Sequence, residues 1–480
     1  MSVGRRIFYN TAAQTVGKAL AVVVGLLTIG LLTRHLGEEG FGQYATVIAF
    51  QGLFVVFADF GLYMYVVREI SLPMGDLPQG GKPSRNYQIL SNALGMRLVI
   101  ATVSLLIGAS LAWFFPYERA VKEAMLLAVL AFLPISLNQV MVGVFQKHLI
   151  QHLLTLSETV GRVVNLGLVY LFTLQGRPLA FFVFALAGAN IAIFLSSYWI
   201  ARRYEQFDFG FDFVFWRKIL AASWPLIFAI VLNLLYFRTD IIILSWFYPE
   251  VVVGVYSLPY KILEGLLAFP AMFVGLVMPF LSMSAFKEWG KFRNYLQRAF
   301  DALLLMGVLV NVVLWFFAQE IIDLLKGPSG YADSPALLQI LSLAAGAISL
   351  GTLFGYAVVA VDRQKTMIKG YLLGAVVGLI LYFALIPPFG YWGAAWGTVI
   401  TEVIVGGYAY LLVRNTSGQK ISWRIFWPAG AAAVLMAAFF AVVHLPWMLE
   451  VIGGFLIYAL GLVVFGAAPK GFVQEIFFLK

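Results

Sequence analysis

Cysteine is absent from the 480 residues, and charged residues are scarce at 11%. The first absence excludes disulfides, thiol catalysis and cysteine-ligated metals. It also means that cysteine usage does not indicate the redox compartment. The second excludes an ordinary soluble domain, in which about 25% of residues are charged. The rest of the composition is 62% hydrophobic, with a mean hydropathy of +0.91. Apolar runs of about 20 residues recur along the chain, which predicts an all-α polytopic membrane protein.

The net charge of +9 would suggest a nucleic-acid partner if the protein were soluble. Here it reflects an uneven distribution of Lys and Arg between the connections. With the N-terminus placed inside, 22 of the 32 basic residues fall in inside segments and 5 in outside segments. The positive-inside rule therefore predicts two cytoplasmic termini, an even number of spans and no nucleic-acid partner. Arg5 and Arg6 precede the first span without an Ala-x-Ala cleavage site, so we expect that span to remain as an anchor.

About fourteen apolar spans are predicted along the chain. Their connections are short, and the longest, residues 72–85, is rich in Gly and Pro and holds no domain. The expected limits are 8–33, 42–68, 87–114, 122–147, 155–175, 179–201, 219–247, 252–283, 294–325, 335–361, 367–387, 391–413, 425–444 and 447–467.

A faint internal repeat organises these spans into two halves. Three residues between spans one and two recur between spans seven and eight at a constant offset of 212, namely Glu38 with Glu250, Gly42 with Gly254, and Tyr44 with Tyr256. Because each half has an even number of spans, both halves share one orientation. The predicted regions are an N-terminal lobe of six helices at 1–203, a cytoplasmic interfacial linker at 204–218, a C-terminal lobe of six helices at 219–414, and two additional helices at 415–480.

Span one carries a polar and small-residue stripe within an arc of about 80°, at 100° per residue. Its members are Asn10, Gln14, Lys18, Ala21, Gly25 and Thr28. Small residues let helices pack closely, so a packing seam is one interpretation. The charge of Lys18 favours the other, which is the wall of a water-filled cavity, although Lys18 lies near enough to the inner end to snorkel there.

Other ionisable residues fall inside the spans, where a charge at the bilayer centre costs about 2.5–3.5 kcal/mol on insertion scales. Asp59 lies in span two, and Arg97 lies in span three, near enough to the inner end to snorkel. Glu158 and Arg162 are four residues apart in span five, which lets them neutralise each other on one helix face. Each in-span charge is by default a hypothesis of function.

Residues 224–264 concentrate such charges in two adjacent spans. Arg238 and Asp240 are two residues apart, about 200° around a helix, so they cannot easily pair with each other. Lys261 and Glu264 are three residues apart and can pair. Three prolines in the second span, Pro259, Pro270 and Pro279, predict kinks or breaks. Kinked helices with inward charges suit a cavity that opens to alternate sides, whereas a structural ion network is the competing interpretation.

The sequence contains no arrangement of residues that is typical of an enzyme active site. The four histidines include His148 and His152 at helical spacing, but no third ligand accompanies them, so no metal site is expected. Phosphate loops, nucleophile elbows and paired outside carboxylates are missing. We therefore expect a transporter rather than an enzyme, with no catalytic residues and no bound cofactor.

The chain resembles the Wzx-type polysaccharide and oligosaccharide flippases of the multidrug/oligosaccharidyl-lipid/polysaccharide exporter superfamily. The resemblance extends over the whole chain, and the order and spacing of its short motifs are more specific than any single one. Those motifs are the residues 36–38 and 42–44, 59–62 with 68–70, 223–225, 238–240, 254–256 and 390–395.

The resemblance implies two lobes in a V around a central cavity and alternating access. It implies that an undecaprenyl-pyrophosphate-linked oligosaccharide is transferred from the cytoplasmic to the outer leaflet of a bacterial inner membrane. The expected partners are that polyprenyl-linked glycan, membrane lipids and, further along, polysaccharide polymerase machinery, with the protein acting as a monomer. The family does not fix the binding residues uniformly, so it supplies no motif-defined site.

The charge of each side chain and its depth in the predicted span suggest which residues bind the cargo and which couple transport to an ion. A pyrophosphate needs cations in a wet cavity. The candidates for binding the pyrophosphate or the sugars are Lys18, Arg238, Lys261, Arg97, Asn10, Gln14 and Tyr236. The candidates for coupling to protons or sodium are Asp59, Asp240 and Glu264.

Alternatives remain open on the sequence alone. A multidrug antiporter of the same superfamily carries organic cations and should have an acidic cavity, whereas the in-span bases here are as numerous as the acids. A lipid II flippase is equally close in kind. A membrane-embedded glycan polymerase is a more distant alternative, because the short outside connections leave no room for a catalytic cluster.

Overall fold

A computed structural model describes residues 3–59, 62–70, 84–220, 239–327, 330–418 and 420–467. Within these ranges the regular elements are helices, and no strand occurs. Ten of the described helices are long and apolar enough to cross a bilayer. The predicted all-α polytopic class is therefore confirmed, while the exact number of fourteen spans stays a prediction.

The first helix, α1 (Val3–Asp59), holds two consecutive spans. Its 57 residues would extend for about 85 Å at 1.5 Å per residue, far beyond a hydrocarbon core of about 30 Å. The helix breaks at Gly37, where φ is 66° and ψ is −171°. Glycine adopts a positive φ without the steric cost that a side chain would bring. The predicted turn between spans one and two is confirmed, and α2 (Leu62–Ile70) follows the second segment.

One compact unit comprises Met1–Ser257, Leu325–Gly330 and Tyr382–Tyr391. Its further helices form a bundle in which α4 packs on α6, α5 on α6 and α1 on α5. Buried apolar side chains such as Leu94, Val140 and Phe145 form its core. The bounds of these helices are α3 (Arg85–Leu111), α4 (Arg119–Lys147), α5 (Gln151–Leu174) and α6 (Leu179–Ala201).

A second compact unit comprises Leu258–Leu324, Tyr331–Leu381 and Trp392–Lys480. The predicted span at 294–325 is divided near Phe317, a buried residue that packs edge-on against Phe440 at 4.8 Å. The helices from residue 250 onward are α7 (Glu250–Ser284), α8 (Trp289–Phe316), α9 (Ala318–Leu325), α10 (Ser334–Ala360), α11 (Gln364–Phe389), α12 (Tyr391–Ser417), α13 (Phe426–Val442) and α14 (Trp447–Val464). The predicted division into lobes stays a prediction.

The two segments that carry the sequence repeat contact each other within the first unit. A Cβ atom added at Gly42 would lie 1.8 Å from the carbonyl oxygen of Glu250, and one added at Gly254 would lie 1.9 Å from that of Glu38. No side chain fits at either position, because real Cβ contacts are never shorter than about 3 Å. The offset of 212 residues in the sequence therefore corresponds to a reciprocal contact between two backbones.

Further contacts extend this junction, which we call the repeat seam. It joins residues 33–42 and 115–117 to residues 245–254, 325–327 and 330. The hydroxyls of Tyr117 and Ser245 are 2.9 Å apart. The Phe115 ring stacks on Trp246, with centroids 5.2 Å apart and planes 8° apart. Thr33 donates its hydroxyl to the carbonyl of Leu325 at 2.7 Å. Burial raises the pKa of Tyr117 to about 12, so this phenol stays protonated at neutral pH.

The repeat seam predicts that alanine substitutions at two glycines of α1, Gly42 and Gly52, have very different effects on the stability of the protein. Gly42→Ala or Gly254→Ala should lower the thermal unfolding midpoint, because the added methyl must displace a carbonyl and overpacking costs about 1–3 kcal/mol. Gly52→Ala in the same helix meets nothing within 4 Å and should be neutral or stabilising, since Ala favours helix over Gly by about 1 kcal/mol. Equal midpoints for Gly42→Ala and Gly52→Ala in purified protein would contradict the seam.

Candidate functional site

The structure describes part of the residue set predicted from the sequence. Arg238 and Tyr236 lie outside the described residues, and so do the side chains of Asn10, Gln14 and Asp59. The side chains that can be placed are those of Lys18, Arg97, Asp240, Lys261 and Glu264.

Lys18 lies on α1 beside α5, with its side chain exposed. At the preceding position, Gly17, an added Cβ atom would be 2.3 Å from the Thr155 side chain, so the two helices approach closely there. One turn further along α1, Ala21 is buried and its carbonyl accepts a hydrogen bond from the Arg162 guanidinium at 3.3 Å. Part of the polar stripe on span one is therefore a packing seam, as one of the two interpretations predicted.

The same face also carries a cluster of charges. Glu158 on α5 interacts electrostatically with Arg162 and, more weakly, with Lys18. Arg162, near the middle of α5, is exposed, while Glu158 is half-buried. The sequence predicts that α5 spans the membrane, and a guanidinium exposed in the middle of such a helix needs water rather than lipid around it. Two bases and one acid on the α1–α5 face therefore favour a wet surface with a positive excess.

Arg162 is a functional candidate that the sequence reasoning did not select. Its spacing of four residues from Glu158 suggested a self-contained ion pair on one helix. In the structure it interacts electrostatically with Glu158, and its Nη1 atom also reaches α1, at the Ala21 carbonyl. Only the arrangement of α5 against α1 could reveal this contact, since the sequence contains no local signal for it.

Arg97 is placed differently from its prediction. The side chain is 1% exposed, and its Nη1 atom donates to the Ser136 carbonyl of α4 at 2.9 Å. It does not snorkel to a surface, because α3 and α4 enclose it. The described contacts thus give Arg97 a role in joining two helices.

Asp240 is fully buried, at 0% exposure. It follows Arg238 by two residues and lies in the helical stretch 239–247. Its Oδ2 atom accepts a hydrogen bond of 2.6 Å from the hydroxyl of Tyr256, which is also 0% exposed. This bond connects the helical segment before the Tyr248–Glu250 turn with α7 after it. The carboxyl group of Asp240 is therefore held in a defined position inside the first unit.

Lys261 and Glu264 form the ion pair that their spacing predicted. The Nζ and Oε2 atoms are 2.7 Å apart, and each side chain is 21% exposed. The helix that carries them, α7, continues through Pro259, Pro270 and Pro279 without a break. A pair that is partly exposed in a span keeps access to water and can be rearranged by a competing anion or cation.

No group of three or more His, Asp and Glu side chains lies together in the part of the chain that the structure describes. His148, one of the two histidines at helical spacing, contacts a carboxylate: its Nε2 atom is 2.8 Å from Glu205. The described geometry therefore offers charge pairs and single carboxyls rather than a metal centre.

Comparison with known proteins identifies two matching family models. The model described as "Polysaccharide biosynthesis protein" matches residues 3–285, which is more than half of the chain. The model described as "Lipid II flippase MurJ" matches residues 254–464.

Curated relatives extend the similarity over most of the chain. A putative O-antigen transporter of Escherichia coli (strain K12) is 22% identical over 425 residues, covering 86% of this chain and 97% of the relative. A putative O-antigen transporter of Shigella dysenteriae is 23% identical and covers 78% of this chain and 91% of its own.

Solved structures share the fold. A lipid II flippase MurJ in an inward closed conformation superposes with a TM-score of 0.78 at 14% identity, covering 94% of this chain and 98% of that one. An inward-facing multidrug resistance MATE family transporter of the MOP superfamily has a TM-score of 0.64 at 14% identity, with 85% and 98% covered. At these identities the likeness concerns the architecture alone.

The contribution of the hydrogen bond between Tyr256 and Asp240 to stability can be tested by comparing two tyrosines at equivalent positions of the sequence repeat. Tyr256→Phe should destabilise the protein by about 1–3 kcal/mol, because a buried carboxyl loses a hydrogen-bond donor. Tyr44→Phe is the matched control, since Tyr44 is the repeat counterpart of Tyr256 and is also buried. Thermal unfolding of both purified variants measures the difference. Equal unfolding midpoints would show that the bond contributes little.

Proposed function

We infer that this chain, which belongs to the polysaccharide biosynthesis protein family, is a flippase for a lipid-linked oligosaccharide. The match of that family model to residues 3–285, together with the near-complete coverage of O-antigen transporters, is the observation that carries this conclusion. The protein is a multi-pass membrane transporter rather than an enzyme. In the finer reading, its cargo is an undecaprenyl-pyrophosphate-linked glycan, moved from the cytoplasmic to the outer leaflet of a bacterial inner membrane.

The chemistry of the described charges supports this cargo. A pyrophosphate carries a multiple negative charge, and charge-assisted hydrogen bonds to Lys and Arg are the strong ones. Lys18 and Arg162 present two exposed bases on the α1–α5 face. We assign head-group binding to this face. The assignment of Lys261 to the head group rests on the sequence.

The remaining roles are proposals of the same kind. Asp240 and Glu264 are suited to coupling by protons or sodium, because both are carboxyls held at membrane depth. The assignment of Arg238 and Tyr236 to the head group, and of Asp59 to coupling, rests on the sequence. Cytoplasmic termini, a monomeric state and contact with polymerase machinery complete the proposal.

A lipid II flippase is the second candidate, because the MurJ family model matches residues 254–464. Both candidates move a polyprenyl-linked sugar, so they differ in the identity of the cargo rather than in the mechanism of transport. A multidrug antiporter shares the fold, through the MATE structures, but the positive excess on the α1–α5 face opposes organic cations.

Deletion of the gene tests the cargo. We expect undecaprenyl-linked repeat units to accumulate on the cytoplasmic leaflet, because synthesis continues while transfer stops. Lipid extraction and mass spectrometry measure the accumulation, and the wild-type gene should reverse it. Rescue of a strain depleted of its lipid II flippase would favour the second candidate, and altered resistance to cationic dyes alone would favour the antiporter.

Alternating access can be tested at the repeat seam, because the chain has no cysteine of its own. The turn between spans one and two is predicted to lie outside, so the seam closes the outer end and must part during transport. A Tyr117→Cys and Ser245→Cys pair bridged by a short bis-methanethiosulfonate should stop glycan export, and a reductant should restore it.

The matched control pair is Gln43→Cys and Glu118→Cys. These side chains are also in contact, with Gln43 donating to Glu118 at 3.0 Å, but both belong to the first half. A bridge there leaves the two halves free to separate, so export should continue. Export through a fully bridged 117–245 pair would show that the seam does not open.

A further inference from the structure

The connection between the two halves is bound to the first helix bundle through its backbone. Residues 205–212, which we call the strap, run across the N-terminal part of α3. A Cβ atom added at Gly95 of α3 would lie 2.0 Å from the carbonyl oxygen of Gly210, and one added at Gly210 would lie 3.0 Å from the carbonyl carbon of Ser91. The strap and the helix thus touch backbone to backbone, which sets the position of the strap.

Hydrogen bonds and a buried ring hold the strap in this position. The backbone N–H of Asp208 donates to the Ser91 hydroxyl, and that of Gly210 donates to the Ser91 carbonyl, both at 2.9 Å. The N–H of Asp212 donates to the Asn92 side chain at 2.9 Å. Phe207 is 0% exposed and belongs to the core cluster of the bundle. The predicted interfacial linker is therefore an ordered part of the first unit.

Each acidic side chain of the strap already has a partner. Glu205 accepts from Lys147 at 2.7 Å and lies 2.8 Å from His148. Asp208 forms an ion pair with Arg202 at 2.9 Å. Asp212 accepts from the backbone N–H groups of residues 214 and 215 at 3.0 and 3.1 Å. The charges of Glu205 and Asp208 are thus compensated by basic side chains of the protein, while Asp212 accepts hydrogen bonds at the start of the helix that follows.

The strap and the following turn of helix expose a row of aromatic rings flanked by basic side chains, beside the acidic groups described above. Phe209, Phe211 and Phe213 are 42%, 51% and 69% exposed. Exposed cations flank this row, and in the described part of the chain they form no ion pair; they are Arg203, Arg217 and Lys218. A row of exposed rings beside uncompensated cations is typical of segments that lie in a membrane interface.

We propose that the strap binds the anionic lipid surface of the inner leaflet, with the three phenylalanine rings inserted among the head groups and the three cations on lipid phosphates. Two observations select this occupant. The surface is continuous with the membrane, because α6 ends at Ala201 and the next apolar span is predicted from residue 219. Its charge is complementary to anionic head groups. Since the strap is docked on α3, the leaflet holds this end of the first bundle at a constant depth.

Lipid contact is measured directly with single cysteines, since the chain has none. Phe211→Cys and Phe213→Cys are labelled with the fluorophore NBD and reconstituted into vesicles of phosphatidylcholine and phosphatidylglycerol. Lipids brominated on the acyl chain should quench both probes several-fold more than a probe at Gln206→Cys, an exposed polar neighbour. Brominated phosphatidylglycerol should quench more than brominated phosphatidylcholine at the same mole fraction.

The preference for anionic lipid is tested by removing the charge. Arg203→Gln, Arg217→Gln and Lys218→Gln together should abolish the difference between the two brominated lipids without lowering the thermal unfolding midpoint. The matched control is Arg363→Gln, Lys365→Gln and Lys369→Gln, which removes the same charge from another exposed turn predicted to lie inside. This control should keep the preference.

Three results would overturn the proposal. Quenching at 211 and 213 no stronger than at 206 would show that the rings do not enter lipid. A preference for phosphatidylglycerol that survives the triple variant would show that the cations do not bind the head groups. Probes shielded from both lipids and iodide would indicate a protein partner on this surface. The proposal does not depend on the cargo, so these measurements stand apart from the export assay.

Discussion

The direct contact of the Glu38–Gly42 and Glu250–Gly254 backbones is the constraint on which the first unit depends. Glycine at both positions lets two chain segments approach to a distance that no side chain permits. Around it lie single hydrogen bonds and one ring stack, which are individually weak. In the proposed alternating access, this junction is the contact that separates.

A second backbone contact lies in the N-terminal part of α3, away from the repeat seam. There Gly95 and Gly210 bring the strap against the helix, and a network of hydrogen bonds and ion pairs surrounds the contact. The C-terminal end of α3 leads to Phe115 and Tyr117 of the repeat seam. One helix therefore connects the strap contact to the repeat seam.

The ionisable side chains of the predicted spans occur in three environments, and each is compatible with a transporter. Lys261 and Glu264 neutralise each other while retaining partial exposure. Asp240 is buried completely and accepts a hydrogen bond from Tyr256. Lys18 and Arg162 remain exposed on one face with Glu158 close by. Because a charge at the bilayer centre is costly, exposed bases on these helices agree with the proposed binding of an anionic head group on this face.

The sequence by itself determined the features that depend on composition and short spacing. The apolar runs predicted the helical membrane class, span six at 179–201 matches α6, and the pairing of Lys261 with Glu264 follows from i,i+3 geometry. The repeat offset of 212 pointed to the glycines that meet in the seam. Only the tertiary structure decided which helix lies opposite each side chain. It enclosed Arg97 between α3 and α4, directed Arg162 to the carbonyl of Ala21, and divided span nine near the buried ring of Phe317. The physical reason is that helical spacing governs neighbours within one turn, whereas burial and cross-helix bonds depend on packing between segments that are distant in the chain.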